Sequence, residues 1–209
     1  MIITIILFVL IALAAILYNS MSDSTFKDVE GETNTAVIVK SFLDKMIPHH
    51  QEAVDSSLKV MNDLDITESK VRIFAANVVD TQSFEISKMK NIYQEYLGQP
   101  YAQSITLDVN AENGHSTEYH NMMSDMSALV GDDLAKVYTT DMIKHHEGAI
   151  VMAKDYIKLI DKINKESSVS ENGLVITNTH PSIESTYELA KQIVDTQEKE
   201  IEVLKTWYK

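Results

Sequence analysis

The chain has 209 residues and a net charge of −13, which argues against a surface built for nucleic-acid phosphates or anionic lipid. It contains no cysteine, so disulfides, thiolate metal sites and a lipid-modified cysteine are excluded, and a soft-metal site must use methionine and histidine. Six glycines, three prolines and 44% hydrophobic residues favour long helices around one core over a many-stranded sheet.

Residues 2–18 are apolar apart from Thr4 and the Tyr18 hydroxyl, at the short end of the roughly 17–25 residues that span a membrane. They predict an N-terminal apolar helix, residues 1–18, acting as a membrane anchor. A cleaved secretory signal is the rival reading, but no Lys or Arg precedes the run and Asn19-Ser20-Met21 makes a poor cleavage site. Both readings put the body outside the cytoplasm, in the periplasm or at the cell surface, and secreted if residues 1–20 are cleaved. Residues 19–34 read as a linker.

From about Thr35 the steps Val39, Phe42, Leu43, Met46, Ile47, His50, Ala53, Val54, Leu58 and Met61 predict a helix, with Pro48 kinking it or starting a new one. Thr67 reads as the N-cap of a second helix, with Glu68 in its first turn. Val71, Phe74, Val78, Thr81, Gln82, Glu85, Met89, Ile92 and Tyr96 line one side, and Leu97-Gly98 with Pro100 ends it. Residues 99–114 form a connector. A methionine-rich stretch from His115 carries His120, Met122, Met123 and Met126. Gly131-Asp132-Asp133 restarts the chain, with Asp132 as a candidate N-cap, and a third helix runs to about Ile163. A loop over 164–180 contains Leu174-Val175-Ile176, a candidate short hairpin. Pro181 suits the first turn of a last helix with Leu189, Ile193, Thr196, Gln197, Glu200 and Leu204 on one face.

Two stretches are said twice. Met46-Ile47-Pro48-His49-His50-Gln51-Glu52-Ala53 returns as Met142-Ile143-Lys144-His145-His146-Glu147-Gly148-Ala149, and Val79-Asp80-Thr81-Gln82 returns as Val194-Asp195-Thr196-Gln197. Such repetition predicts duplicated helical hairpins, copy one over 36–97 and copy two over 115–209, closing into a four-helix bundle over 35–209 with the copies related by a pseudo-twofold axis.

Met46 with His49 and His50, and Met142 with His145 and His146, sit three and four residues apart, so each trio can share a helix face. Imidazole suits copper, zinc, iron and nickel, while a thioether selects Cu(I). Glu85 and Glu200, beside Gln82 and Gln197, interrupt apolar stripes and need partners if buried, and a histidine on a facing helix can supply one. The plainer reading makes each His–Glu pair a structural hydrogen bond fixing the bundle. Adjacent side chains on a helix diverge by about 100°. One histidine of each pair is therefore expected to face the core while the other serves a second site or the surface. Asp80 and Asp195 are expected to face outward. Met122, Met123 and Met126 with His115 and His120 form either a soft-metal tract or packing at the bundle end.

Phe42-Leu43-x-x-Met46-Ile47-Pro48-His49-His50-x-x-Ala53, and Met142-Ile143-x-His145-His146-x-Gly148-Ala149-Ile150-x-Met152-Ala153, resemble the hallmark of the domain-of-unknown-function 305 family. The resemblance covers roughly 36–97 and 115–209. It implies an all-α, ferritin-like four-helix bundle that is exported and associated with copper binding and tolerance. Copy one departs from the hallmark, with Glu52 in place of Gly148 and Ser56-Ser57 in place of Met152-Ala153. No Glu-x-x-His lies on a predicted helix, so iron oxidation is not implied.

The chain is therefore expected to bind copper, Cu(I) in preference to Cu(II), with zinc and iron as alternatives. Met142, His145 and His146 are expected to hold it, with Met152, Gln197 and Glu200 nearby. Met46, His49, His50, Gln82 and Glu85 would form a weaker equivalent, and His120, Met123 and Met126 further ligands. The implied role is sequestration, tolerance or transfer, with a copper-handling protein as partner. A metal-dependent redox enzyme and a metal-free interaction module are the other classes these residues permit.

Overall fold

The computed structural model describes residues 35–102, 126–167 and 180–207. The chain divides into two compact units, Met1–Val37 and Ile38–Lys209, and the second holds the hydrophobic core. Among the described residues there are four helices and no strand: α1 over 35–62, α2 over Ser69–Leu97, α3 over Gly131–Ser167 and α4 over Pro181–Leu204. This all-α architecture is the helical bundle that the periodicity predicts.

The apolar stripes bury in two separate clusters. One gathers Val39, Leu43, Met46 and Val54 of α1, Ile86, Met89 and Tyr93 of α2, Ala153, Tyr156 and Ile160 of α3, and Ile183, Leu189 and Ile193 of α4. The other gathers Val60, Val71, Phe74, Val78, Leu134, Tyr138, Met142 and Leu204, together with Met126. The first cluster takes early α1 and late α3, and the second takes late α1 and early α3. Between them each helix carries polar side chains: His49 and His50, Gln82 and Glu85, His145 and His146, and Gln197 with Glu200. A polar layer thus crosses the middle of the bundle.

The helix ends follow local chemistry. Gly98 ends α2 in the left-handed region at φ 68°, its N–H donating to the Gln94 carbonyl. Pro181 opens α4, and His180 caps it by accepting the Ser182 N–H on Nδ1 at 3.2 Å. Thr67 does not cap α2 as expected; Glu68 occupies that position without a side-chain bond. Thr67 instead donates its N–H to Asp132 Oδ1 at 2.9 Å and its hydroxyl to Oδ2 at 2.8 Å. These donors hold the exposed Asp132 carboxyl below its usual range. Asp132 lies inside the first turn of α3 rather than capping it, and Gly131 is where that helix begins.

Gly131 has φ 59°, its N–H donates to Asp63 Oδ2 at 2.9 Å, and a Cβ there would stand 3.3 Å from the Asp65 carbonyl oxygen. Gly131→Ala is therefore expected to lower stability by about 1–2 kcal/mol, the cost of a side chain in the left-handed region. A urea titration with an unchanged slope and an earlier midpoint would show it.

Several expectations are corrected. Of the two outcomes expected at Pro48, a kink or a new start, the new start is excluded, since helix α1 runs unbroken through it. Proline removes one donor, but buried Met46, Ile47, His49 and His50 on either side keep the segment docked. Leu58 leaves the apolar stripe and is 40% exposed, because the small Ser56 and Ser57 take the buried face. Ser57 Oγ meets the Tyr138 hydroxyl there at 2.7 Å. Helix α3 extends past Ile163 to Ser167. Asp80 and Asp195 face outward as read. The anchor over 2–18, the linker, His115, His120, Met122, Met123 and the hairpin at Leu174-Val175-Ile176 lie outside the described residues. Among the described residues no helix is long and apolar enough to cross a membrane.

Candidate metal centre

Each of the four helices sends polar side chains into the middle layer, and most of the layer is buried. His50 and His146 are 0% exposed, His145 4%, His49 6% and Gln82 and Gln197 2% each. Of the two places expected for the second histidine of each pair, a second site or the surface, the surface is thus wrong, since both histidines are buried. Residues 100° apart on one helix still both point inward when the helix has a neighbour on each side. Here His49 meets α3, while His50 turns to α2 and His146 to α4.

His50 Nε2 donates to Glu85 Oε2 at 3.0 Å. His146 Nε2 stands 2.7 Å from Glu200 Oε2, but off the axis of a well-formed hydrogen bond. In a neutral ring, a proton on the Nε2 that faces the carboxylate leaves the lone pair on Nδ1. Neither Nδ1 has a hydrogen-bond partner among the described residues. Glu85 thus fixes the His50 ring, and Glu200 stands beside that of His146.

His49 and His145 face each other across α1 and α3, with ring centroids 3.7 Å apart and planes tilted by 35°. Glu52 Oε2 lies 3.6 Å from His145 Nε2. Burial holds the His49 imidazolium well below its usual range, and neighbouring His145 pushes the same way. Burial also lowers His145, opposed by Glu52. Both rings are therefore neutral at pH 7, as a metal ligand must be.

Unpartnered polar atoms collect here. Among the described residues, neither ring nitrogen of His145 has a hydrogen-bond partner, nor does either amide atom of Gln82, and Gln197 Oε1 accepts none. Each such buried atom costs roughly 1–3 kcal/mol unless something else satisfies it. Among the described residues no group of three or more His, Asp or Glu side chains is assembled to hold an ion. The donors come in pairs, and the buried thioethers of Met46 and Met142 belong to the apolar clusters on opposite sides of the layer. The layer itself thus offers four imidazoles beside carboxylates and amides, and imidazole suits copper, zinc, iron and nickel.

The layer brings together His49, His50, Gln82, Glu85, His145, His146, Gln197 and Glu200. It does not include Met126, which is fully buried in an apolar cluster; Met152 is half-buried beside the other cluster. Sequence reasoning missed Glu52 as a partner of His145, although its place opposite Gly148 was the signal. It also missed Phe74, whose ring lies 6.5 Å from that of His146 and packs edge-on against Trp207.

The sequence model for the domain of unknown function DUF305 matches residues 40–168. No curated protein matches the chain. Among solved structures, CopM in its Ag-bound form is 25% identical, with 81% of this chain and 94% of that one covered and a TM-score of 0.51. CopM in its Cu(II)-bound form is 24% identical, covering 81% and 95%, with a TM-score of 0.55. A DUF305 protein from Streptomyces coelicolor is 24% identical, covering 80% and 89%, with a TM-score of 0.54. These likenesses agree with the helical bundle, and with more than half of its length inside the family match, the chain belongs to the DUF305 family.

Proposed function

We propose that this chain is an exported or membrane-tethered copper-binding bundle that sequesters copper or hands it on to a partner protein. The observation that carries the reading is the buried middle layer, where His50, His145 and His146 bury ring nitrogens without hydrogen-bond partners among the described residues. Bound copper would satisfy them and stabilise the fold by mass action. The chain's own residues supply buried imidazoles, carboxylates beside them, and apolar clusters on either side of the layer. Methionine on either side favours Cu(I). The CopM neighbours, solved with Ag, Cu(I) and Cu(II), support a copper-group ion. The repeated motifs support duplicated ferritin-like hairpins over 36–97 and 115–209. The apolar run at 2–18 supports export and tethering, and the Streptomyces coelicolor neighbour carries secretion in its name.

A competing reading, structural His–Glu pairs without metal, draws on the arrangement of donors in pairs. The test is a Cu(I) titration of the full chain under chelator competition, beside His145→Ala combined with His146→Ala. Binding with a rise in melting temperature in the wild type, lost in the double variant, is the expected result. No binding and no change in melting with copper or zinc would leave the structural reading standing.

A further inference from the structure

The outer faces of the helices differ in charge. The exposed side of α3 carries Lys144, Glu147, Lys154, Asp155, Lys158 and Asp161 among others. That of α4 carries Glu184, Asp195, Glu198 and Glu202, with Lys191 and Lys199. Along α2 from Ile73 to Asn91 the exposed residues are Ile73, Asn77, Asp80, Phe84, Ser87 and Asn91, and Asp80 is the one charge among them. Ile73 is 62% exposed and Phe84 70%. They stand about three turns apart along one line of the helix. Their neighbours Ala76, Ser83 and Ser87 are small, so the two large side chains stand out from the surface as knobs.

The spacing is self-complementary. When two copies of α2 lie antiparallel about a twofold axis passing between Asn77 and Asp80, Phe84 of one copy meets Ile73 of the other, and the contact occurs twice. Asp80 then faces the Asn77 amide of the second copy, a donor for its carboxylate. A parallel pair would set Asp80 against Asp80, and like charges meeting in an interface repel. Charge also selects the occupant. A chain of net charge −13 repels its own copies, least so where its surface is nearly uncharged. A basic partner would be drawn to the carboxylates of α4 instead, and anionic lipid would need a cationic stripe that this face lacks.

We propose that the outer face of α2 pairs two copies of this chain in an antiparallel, twofold contact, with Phe84 and Ile73 as its anchors. From Ile73 to Asn91 the face is roughly 27 Å long, at about 1.5 Å per residue. A contact confined to one helix pair of that length is at the small end of specific interfaces, so the dimer is weak and concentration-dependent. The pairing goes beyond the copper reading and does not depend on bound metal.

The absence of cysteine from the chain allows single introduced thiols to report on it. Variants of the full chain in mild detergent are oxidised with diamide and sized without reductant. Asn77→Cys should form a covalent pair of twice the chain's mass, while Val151→Cys, 48% exposed on α3, should not. Ile73→Cys mixed with Phe84→Cys should give more joined pair than either alone. Phe84→Asp added to Asn77→Cys should cut the yield at least about tenfold, as loss of a central aromatic anchor does. Its melting temperature should stay level, because the Phe84 side chain lies outside the core. Equal pairing through Val151→Cys, a yield that survives Phe84→Asp, or Phe84→Cys copies joining each other better than they join Ile73→Cys would overturn the proposal. So would a chain that stays single at every position, and a Phe84→Asp loss of binding to neutral lipid vesicles would then assign the face to a membrane.

Discussion

Glu85→Ala should destabilise the metal-free protein by about 3 kcal/mol, the largest loss expected from any single change in the middle layer. His50 is fully buried and its one hydrogen bond is the 3.0 Å contact with Glu85. Removing the carboxylate leaves a 0%-exposed imidazole with no partner. An orphaned neutral group costs about 1–3 kcal/mol and an uncompensated buried charge about 3–5, and the expected loss lies where these two ranges meet. Glu200→Ala should cost less, about 1 kcal/mol, because Glu200 is 19% exposed and meets His146 off axis. Replacing His50 and Glu85 together by leucine should recover most of the loss, since no polar group is then stranded. Urea unfolding of the variants measures this, and a Glu200→Ala loss equal to or above that of Glu85→Ala would refute the assignment.

The metal-free chain should also lose stability as pH falls below 6.5. Burial lowers the folded-state pKa of His49 and His145 beneath the unfolded value of about 6.5. Below 6.5 the unfolded chain binds protons that the folded chain refuses, so acid favours unfolding. The contribution is complete above 6.5 and is lost progressively down to the folded pKa values. Each such group gives a limiting slope of about 1.4 kcal/mol per pH unit, so the pair gives about 2.7 while both rings resist protonation. Unfolding free energies between pH 7.5 and 5.5 would show it in the wild type and at reduced slope in His49→Phe or His145→Phe. A flat profile across that range would contradict the burial of these rings as neutral groups.

Much of this architecture is legible in the sequence because periodicity is local. The stripe from Val39 to Val54 and its counterpart from Leu189 to Leu204 announce buried helix faces, and Gly98 and Pro181 announce ends. The doubled His-His motif identifies the layer, since histidines at matching places in apolar stripes need matching partners. What sequence cannot supply is which neighbour each side chain finds. Thr67 has the chemistry of a cap and serves as a bridge to Asp132, a residue far along the chain. Adjacent histidines are mutually exclusive on a lone helix with one buried face, whereas a helix in a bundle has a broader one. The pairing of Glu52 with His145 across α1 and α3 is likewise a property of the packed state.

The placing of the middle layer between two apolar clusters has a kinetic consequence. A hydrated ion cannot travel down the bundle axis, since Leu43, Met89 and Ile193 close one side of the layer and Tyr138, Val78 and Leu204 the other. Glu52 and Glu200 are the least buried of the side chains around the layer, at 20% and 19% side-chain exposure. Under the proposed copper reading, these partly exposed carboxylates mark the side from which an ion would reach the layer. Uptake and release would then be paced by the parting of the helices, and a bound ion would be held longer than its ligand count alone would set.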